Sequence, residues 1–233
     1  MPIPTFINYV TLGLAKNPKT HLIFSIGIGF FSCERVYSME LKNGIKTFHA
    51  KTRKDWRSWL EKNHEIEKSI WLIIFKKECS TPSVYYPEAV DEALCFGWID
   101  SKPNKRDEES YYQFFSKRNV KSNWSKVNKD KVTKLIKEGL MHSSGLKMIE
   151  LAKKSGTWNA LDEVESLKLP KDLNDLFQKN KIAFHNWEAF PPSSKRGILE
   201  WILNAKKTET RDKRIEETVN LAAENIRANH FRQ

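Results

Sequence analysis

Ile70-Trp71-Leu72-Ile73-Ile74-Phe75 is an unbroken apolar run, and its reading decides the fold. The run is short, and β-branched and aromatic residues dominate it, so it predicts a strand covered on both faces. Upstream, Lys46 to Ala50 predicts a first short strand. Between the two, Thr52 with Asp55 three residues on is an N-cap signature. It opens a helix that places Trp56, Trp59 and Leu60 on one face and stops near Asn63. The opening therefore reads β-α-β.

Downstream of the run, Ser80-Thr81-Pro82-Ser83 is a turn signal, followed by a brief predicted strand at Val84 to Tyr86. Pro87 suits the first position of a helix, and Glu88 sits beside its positive end. Val90, Ala93 and Leu94 give that helix a buried stripe, and Gly97 supplies a left-handed stop. Trp98 to Asp100 and Tyr111 to Lys117 read as two strands joined by the polar loop Ser101 to Ser110. Two helices follow. Ser125 caps one that buries Val132, Leu135 and Ile136 before Gly139; Ser143 caps another that buries Leu146, Ile149 and Leu151 before Gly156.

Residues 156 to 170 hold no sustained period and end in Pro170, which marks a module boundary. Beyond it four apolar stripes are helical: Leu173, Leu176 and Phe177; Ala183, Phe184 and Trp187; then, after Pro191-Pro192, Ile198, Trp201 and Ile202; last Ile215, Val219 and Ala222. The expected fold class is α+β, a small β-sheet with packed helices over 39–155 followed by an all-helical C-terminal module over 160–227.

The 233 residues carry a net charge of +11 with a pI near 9.4, a surface that attracts polyanions such as nucleic acid, anionic lipid or acidic proteins. Cys33, Cys79 and Cys95 are odd in number and match no zinc-ligand spacing, so neither a complete disulfide framework nor a metal site is expected, and a reducing compartment is. Residues 1–38 differ from the rest: they hold only Lys16, Lys19, Glu34 and Arg35 as charges, and an apolar run from Leu22 to Phe31. That run falls well short of the roughly 20 residues a bilayer span needs, so no integral membrane span is expected. The favoured reading is a poorly structured extension upstream of a true start at Met39; the alternative is a weak signal or anchor that would make the protein periplasmic rather than cytoplasmic.

The most informative motif is Leu94-Cys95-Phe96-Gly97-Trp98-Ile99-Asp100-Ser101, followed by Lys121-Ser122-Asn123-Trp124-Ser125. Together with Trp56 and Trp59, Tyr86-Pro87-Glu88-Ala89-Val90, and Thr208-Glu209-Thr210-Arg211-Asp212-Lys213-Arg214-Ile215, these residues resemble the bacterial YdeI/OmpD-associated proteins, also described as bacteriocin-protection proteins. The resemblance runs from about Lys46 to about Asn225. It implies an α/β N-terminal part, a helical C-terminal region that defines the family, and a link to envelope stress or bacteriocin resistance. Members begin just before the stretch matching Lys46, which favours Met39 as the start; a periplasmic location also travels with the label. The family brings no catalytic residues and no cofactor to carry over.

Three sites are read from the residues themselves. A small-ligand pocket where the Gly97-Trp98 turn meets the hairpin would use Trp98 and Trp124 as walls, with Asp100, Asn104 and Arg118 as polar contacts, though tryptophans more often build core. A nucleic-acid platform would use Lys102, Lys105, Arg106, Lys117, Arg118 and Lys121 with outward aromatic rings. Residues 102–137 hold 11 Lys or Arg against four Asp or Glu; the plain alternative is the wet face of a helix. Cys95 with Asp100 could form an enzyme pocket, but Cys95 lies at the thiolate-disfavouring end of its helix and a core role is favoured. Phosphate loops, zinc-protease and α/β-hydrolase motifs are lacking. The leading expectation is a non-enzymatic binding protein acting through residues 98–124, its partner an anionic ligand or nucleic acid.

Overall fold

In the computed structural model, which describes residues 40–229, five strands form one sheet: β1 Leu41–Lys42, β2 Ile45–His49, β3 Ser69–Phe75, β4 Trp98–Lys105 and β5 Ser110–Lys117. Their order is β1-β2-β3-β5-β4. β2 and β3 run parallel, and such a pair needs a crossover; α1, Arg53–Asn63, provides it. The remaining pairs are antiparallel. α1 starts where the sequence predicts, with a capping box in which the Thr52 side chain accepts from the Asp55 N–H and Asp55 accepts from the Thr52 N–H.

β3 is covered on both faces. Ile70, Leu72 and Ile74 join Trp56, Leu60 and Phe115 in the main core, and Trp71 and Ile73 join Tyr112 on the other side. The main core also holds the inner side of α2, Tyr86–Cys95, and residues from α3, Lys126–Lys137, and α4, Ser143–Ser155. The Cys95-Phe96-Gly97 motif is where α4 lands on the end of α2. The His142 N–H donates to the Cys95 carbonyl (3.1 Å) and Ser144 Oγ to the Phe96 carbonyl (3.1 Å), so carbonyls orphaned at the helix end find donors. A Cβ on Gly145 would sit 2.2 Å from the Cys95 carbonyl oxygen, so only glycine allows this approach. Gly97 takes a φ of 74°, the left-handed stop expected of it.

A second core belongs to the helical part. It is built by α5 Asp162–Glu165, α6 Lys171–Lys179, α7 Lys181–Ala189, α8 Pro192–Leu203 and α9 Thr208–Ala223, around Leu173, Phe177, Trp187, Ile198 and Ile202. Both cores lie in one compact unit. The molecule is α+β, as expected. Among the described residues no helix is long and apolar enough to cross a membrane. The expectations for residues 1–38 lie outside the described residues.

Several local readings are corrected. Val84 to Tyr86 forms no strand: Pro82, and Pro87 at the start of α2, leave no room for a paired segment, and Tyr86 already belongs to the helix. β4 extends to Lys105, so the hairpin loop is shorter than Ser101 to Ser110. α4 begins one residue earlier than read, with His142 as its cap. Ile136, Leu146 and Leu151 are exposed, while Gly145 and Ala152 take buried places on α4, because the close approach selects small residues.

Candidate functional site

β5 ends at Lys117, and the Arg118 N–H donates to the Gly97 carbonyl (3.0 Å), which ties the next segment to the left-handed turn. The Arg118 side chain is 3% exposed. Its guanidinium carbon lies 3.9 Å from the centre of the Trp124 ring, and one terminal nitrogen donates to the Asn123 carbonyl at 2.5 Å. Nε and the other terminal nitrogen have no hydrogen-bond partner, and no carboxylate of the described residues pairs with the group. Burial with no compensating acid draws its pKa down to about 10. A buried guanidinium two-thirds unsatisfied is an uncommon arrangement, since buried charges are normally paired.

Arg118 forms part of the wall of a cleft of about 400 Å³. Asn123, Ser125 and Asn128 continue that wall. Ser125 caps α3, its hydroxyl accepting from the Asn128 N–H (3.3 Å), and the first turn of α3 contains no acid. The positive end of a twelve-residue helix therefore opens on the same cleft as the unpaired guanidinium. The opposite wall is one face of α8, with Ser193, Arg196, Gly197 and Glu200 at the i, i+3, i+4, i+7 spacing, and Glu165 of α5 beside it. Ile99, Leu161 and Val164 supply apolar surface.

Of the five residues predicted to line a pocket, only Arg118 lines this one. Trp98 is 1% exposed; its indole N–H donates to the His64 carbonyl (3.3 Å) and its ring meets Trp59 edge-on. Trp124 is 2% exposed, packs against Trp158, and serves as the apolar bed of Arg118. The reading of both tryptophans as outward-facing walls is corrected: rings of that size at the junction of β4, α1 and α4 fill the core. Asp100 accepts from the Tyr86 hydroxyl at 2.6 Å, and Asn104 stands opposite Tyr112 on the exposed end of β4.

The basic segment is dispersed by its partners. Lys105 pairs with Glu108, Arg106 with Glu40 and Asp107, Lys129 with Asp162, and Lys131 with Asp91; Lys117 donates to the Glu65 carbonyl. Lys102 and Lys121 are exposed. Tyr112 and Phe115 point into the two cores, so no ladder of outward rings accompanies these cations. Cys95 is buried, and burial pushes its thiol up to about 11, against nucleophilic use.

Residues 48–148 match a domain of unknown function (DUF8412), and residues 166–225 match the family described as Bacteriocin-protection, YdeI or OmpD-Associated. Over those residues the helical module is similar to the YdeI/OmpD-associated family. Neither a curated protein nor a solved structure matches the chain. The cleft thus has one wall from the stretch matched by the first family and another from the YdeI/OmpD-associated module. The sequence reading quotes Asn123 within a motif but gives neither it, nor Asn128, nor the α8 face a role at a site. The spacing Ser193-Arg196-Gly197-Glu200, on the side of α8 away from Ile198 and Ile202, was the available signal.

Proposed function

We propose that the protein is a non-enzymatic binding protein of the cytoplasm whose site is this cleft, and that it takes a small anionic ligand. The observation that carries the reading is Arg118: a buried, unpaired guanidinium beside the capped start of α3. Leaving a guanidinium buried without an acid is unfavourable, and a carboxylate or phosphate would satisfy it with two parallel hydrogen bonds. The helix end adds N–H groups and a positive potential at the same place. The high pKa of Cys95 and the tie between Asp100 and Tyr86 favour binding over catalysis. The family matched over 166–225 is described as bacteriocin-protection, and sequestering a small anion is compatible with such a role.

Thermal melting of the full chain in rising butyrate or inorganic phosphate tests the reading. A ligand at about 100 times its Kd stabilises the native state by about 2.7 kcal/mol, a shift of several degrees. The melting temperature of the natural chain rises with the anion, and that of Arg118→Met stays flat while its fold is retained. Equal responses of the two proteins, or none from either, would overturn the assignment.

A further inference from the structure

The two walls of the cleft carry opposite charges that do not meet. Arg118 has no acid partner. Across from it the Glu200 carboxylate, half-buried on α8, makes no hydrogen bond or ion pair among the described residues. Glu165 is held only loosely, 3.9 Å from the Arg196 guanidinium. Two unpaired charges of opposite sign facing one space, instead of closing on each other, leave room for a molecule that answers both.

Gly197 adds a second, independent sign. It lies inside α8, where glycine is unfavourable compared with alanine because it leaves more backbone freedom to be lost. Gly97 and Gly145 have reasons for being glycine, a left-handed φ and a close approach to backbone. Gly197 has neither: its φ is not positive, and a Cβ there would meet nothing within 4 Å. What the missing side chain provides is space along the α8 wall, between Arg196 and Glu200.

We propose that the cleft takes a small zwitterion, a carboxylate or phosphate at Arg118 and the α3 end joined by a short apolar link to an ammonium at Glu200, with Gly197 making room for the link. The inference rests on the anion-binding reading above and adds the second charge. Ile99, Leu161 and Val164 suit the methylenes of such a link. A zwitterion also matches the composition of the lining, which holds two arginines and two glutamates.

Calorimetric titration of the full chain with 4-aminobutyrate, butyrate and butylamine, and with O-phosphoethanolamine and inorganic phosphate, tests it. Each amine-bearing anion should bind at least about tenfold more tightly than its amine-free counterpart, consistent with one added charge-assisted hydrogen bond. The stronger of the two pairs tells carboxylate from phosphate. Glu200→Gln, which takes one negative charge from the α8 wall, should remove the tenfold advantage, with the affinity for butyrate or phosphate no weaker than before. Butyrate and phosphate binding as tightly as their amine-bearing partners, or an advantage that survives Glu200→Gln, would overturn the zwitterion while leaving the anion site standing. No binding by any of the five probes would overturn both.

Discussion

Of the seven buried polar or charged side chains among the described residues, Thr47, His64, Glu92, Ser110, Gln113 and Arg118 lie in the α/β half and Thr218 alone lies in the helical half. Thr218 is answered by its own helix, its hydroxyl donating to the Arg214 carbonyl at 2.7 Å. The α/β half answers His64 and Ser110 from within a few residues but Glu92 from far along the chain, where it receives Arg53 at 2.6 Å and Arg57 at 2.7 Å, both from α1. The Trp56 indole donates to the Ala89 carbonyl at 3.0 Å. The difference teaches where chemistry can be placed. A helical bundle satisfies its backbone internally and is shaped by apolar stripes, whereas a sheet with crossovers brings distant polar groups to fixed positions. The cleft draws its buried charge from the second kind of structure and a shaped wall from the first.

The largest test of the comparison removes one large ring from each core. Trp56→Ala and Trp187→Ala should each cost about 3–5 kcal/mol, the usual loss for emptying a buried aromatic site. In urea, tryptophan fluorescence and circular dichroism should follow one coincident transition for both variants, because the cores belong to one compact unit. Two separated transitions, one spared by each variant, would turn the halves into independently folding modules.

A smaller effect comes from Cys95 and concerns the α/β half alone. The folded thiol keeps its proton up to about 11, chiefly because burial disfavours the thiolate, whereas the ordinary value is 9.0. Between those values the native state binds more protons than the unfolded chain, so stability falls as pH rises through that window and is unaffected by this group below it. The loss should be on the order of 2–3 kcal/mol. Denaturant titrations at pH 8 and pH 11 should show a smaller loss in Cys95→Ala than in the natural chain. Ellman labelling at pH 8 should modify partly exposed Cys79 promptly and Cys95 only after unfolding. Prompt labelling of both would reopen the nucleophile.

Much of the fold was legible because its signals are local. Thr52 and Asp55, Ser125, Gly97 and Gly156 mark helix ends with side chains or conformations that work within a few residues, and β3 declares itself by composition. The site was less legible because its parts are local only in space. Arg118 reads in sequence as a polar contact of a pocket or as one cation of a basic platform, but its burial comes from distant chain: the Trp124 ring beneath it packs on Trp158, and the Trp124 backbone N–H donates to the Thr157 carbonyl at 3.2 Å. Trp98 was misplaced for the same reason: the polar residues after it suggested a surface hairpin, while α1 and the His64 carbonyl hold the ring inside. The charge surplus of 102–137 was visible as a sum, and its dispersal among Glu40, Asp91 and Asp162 was not.

Gly197→Ala sharpens the contrast between shape and stability in the helical half. The substitution should raise stability by about 0.5–1 kcal/mol, since the helix gains a better former and no clash is met. In the same protein, binding of 4-aminobutyrate should weaken. Stability and affinity moving in opposite directions from one methyl group would mark the position as kept open for a ligand; both rising together would make Gly197 a neutral helix residue.

The smallest expected effect tests how the halves are joined. Lys129 of α3 pairs with Asp162 of α5, and the Asn123 amide donates to the Asn204 side chain at 3.0 Å; both contacts cross between the stretches matched by the two families or border them. Asp162 is half-exposed, so solvent screens the pair and a double-mutant cycle with Lys129→Ala and Asp162→Ala should return about 0.2–1 kcal/mol. In 1 M salt, where the screening length is about 3 Å, the coupling should fall close to zero. A coupling well above this range, or one indifferent to salt, would mean that charge fastens the YdeI/OmpD-associated module to the sheet. A small, salt-sensitive one leaves that task to the apolar wall of Ile99, Leu161 and Val164, the same surface the cleft offers to its ligand.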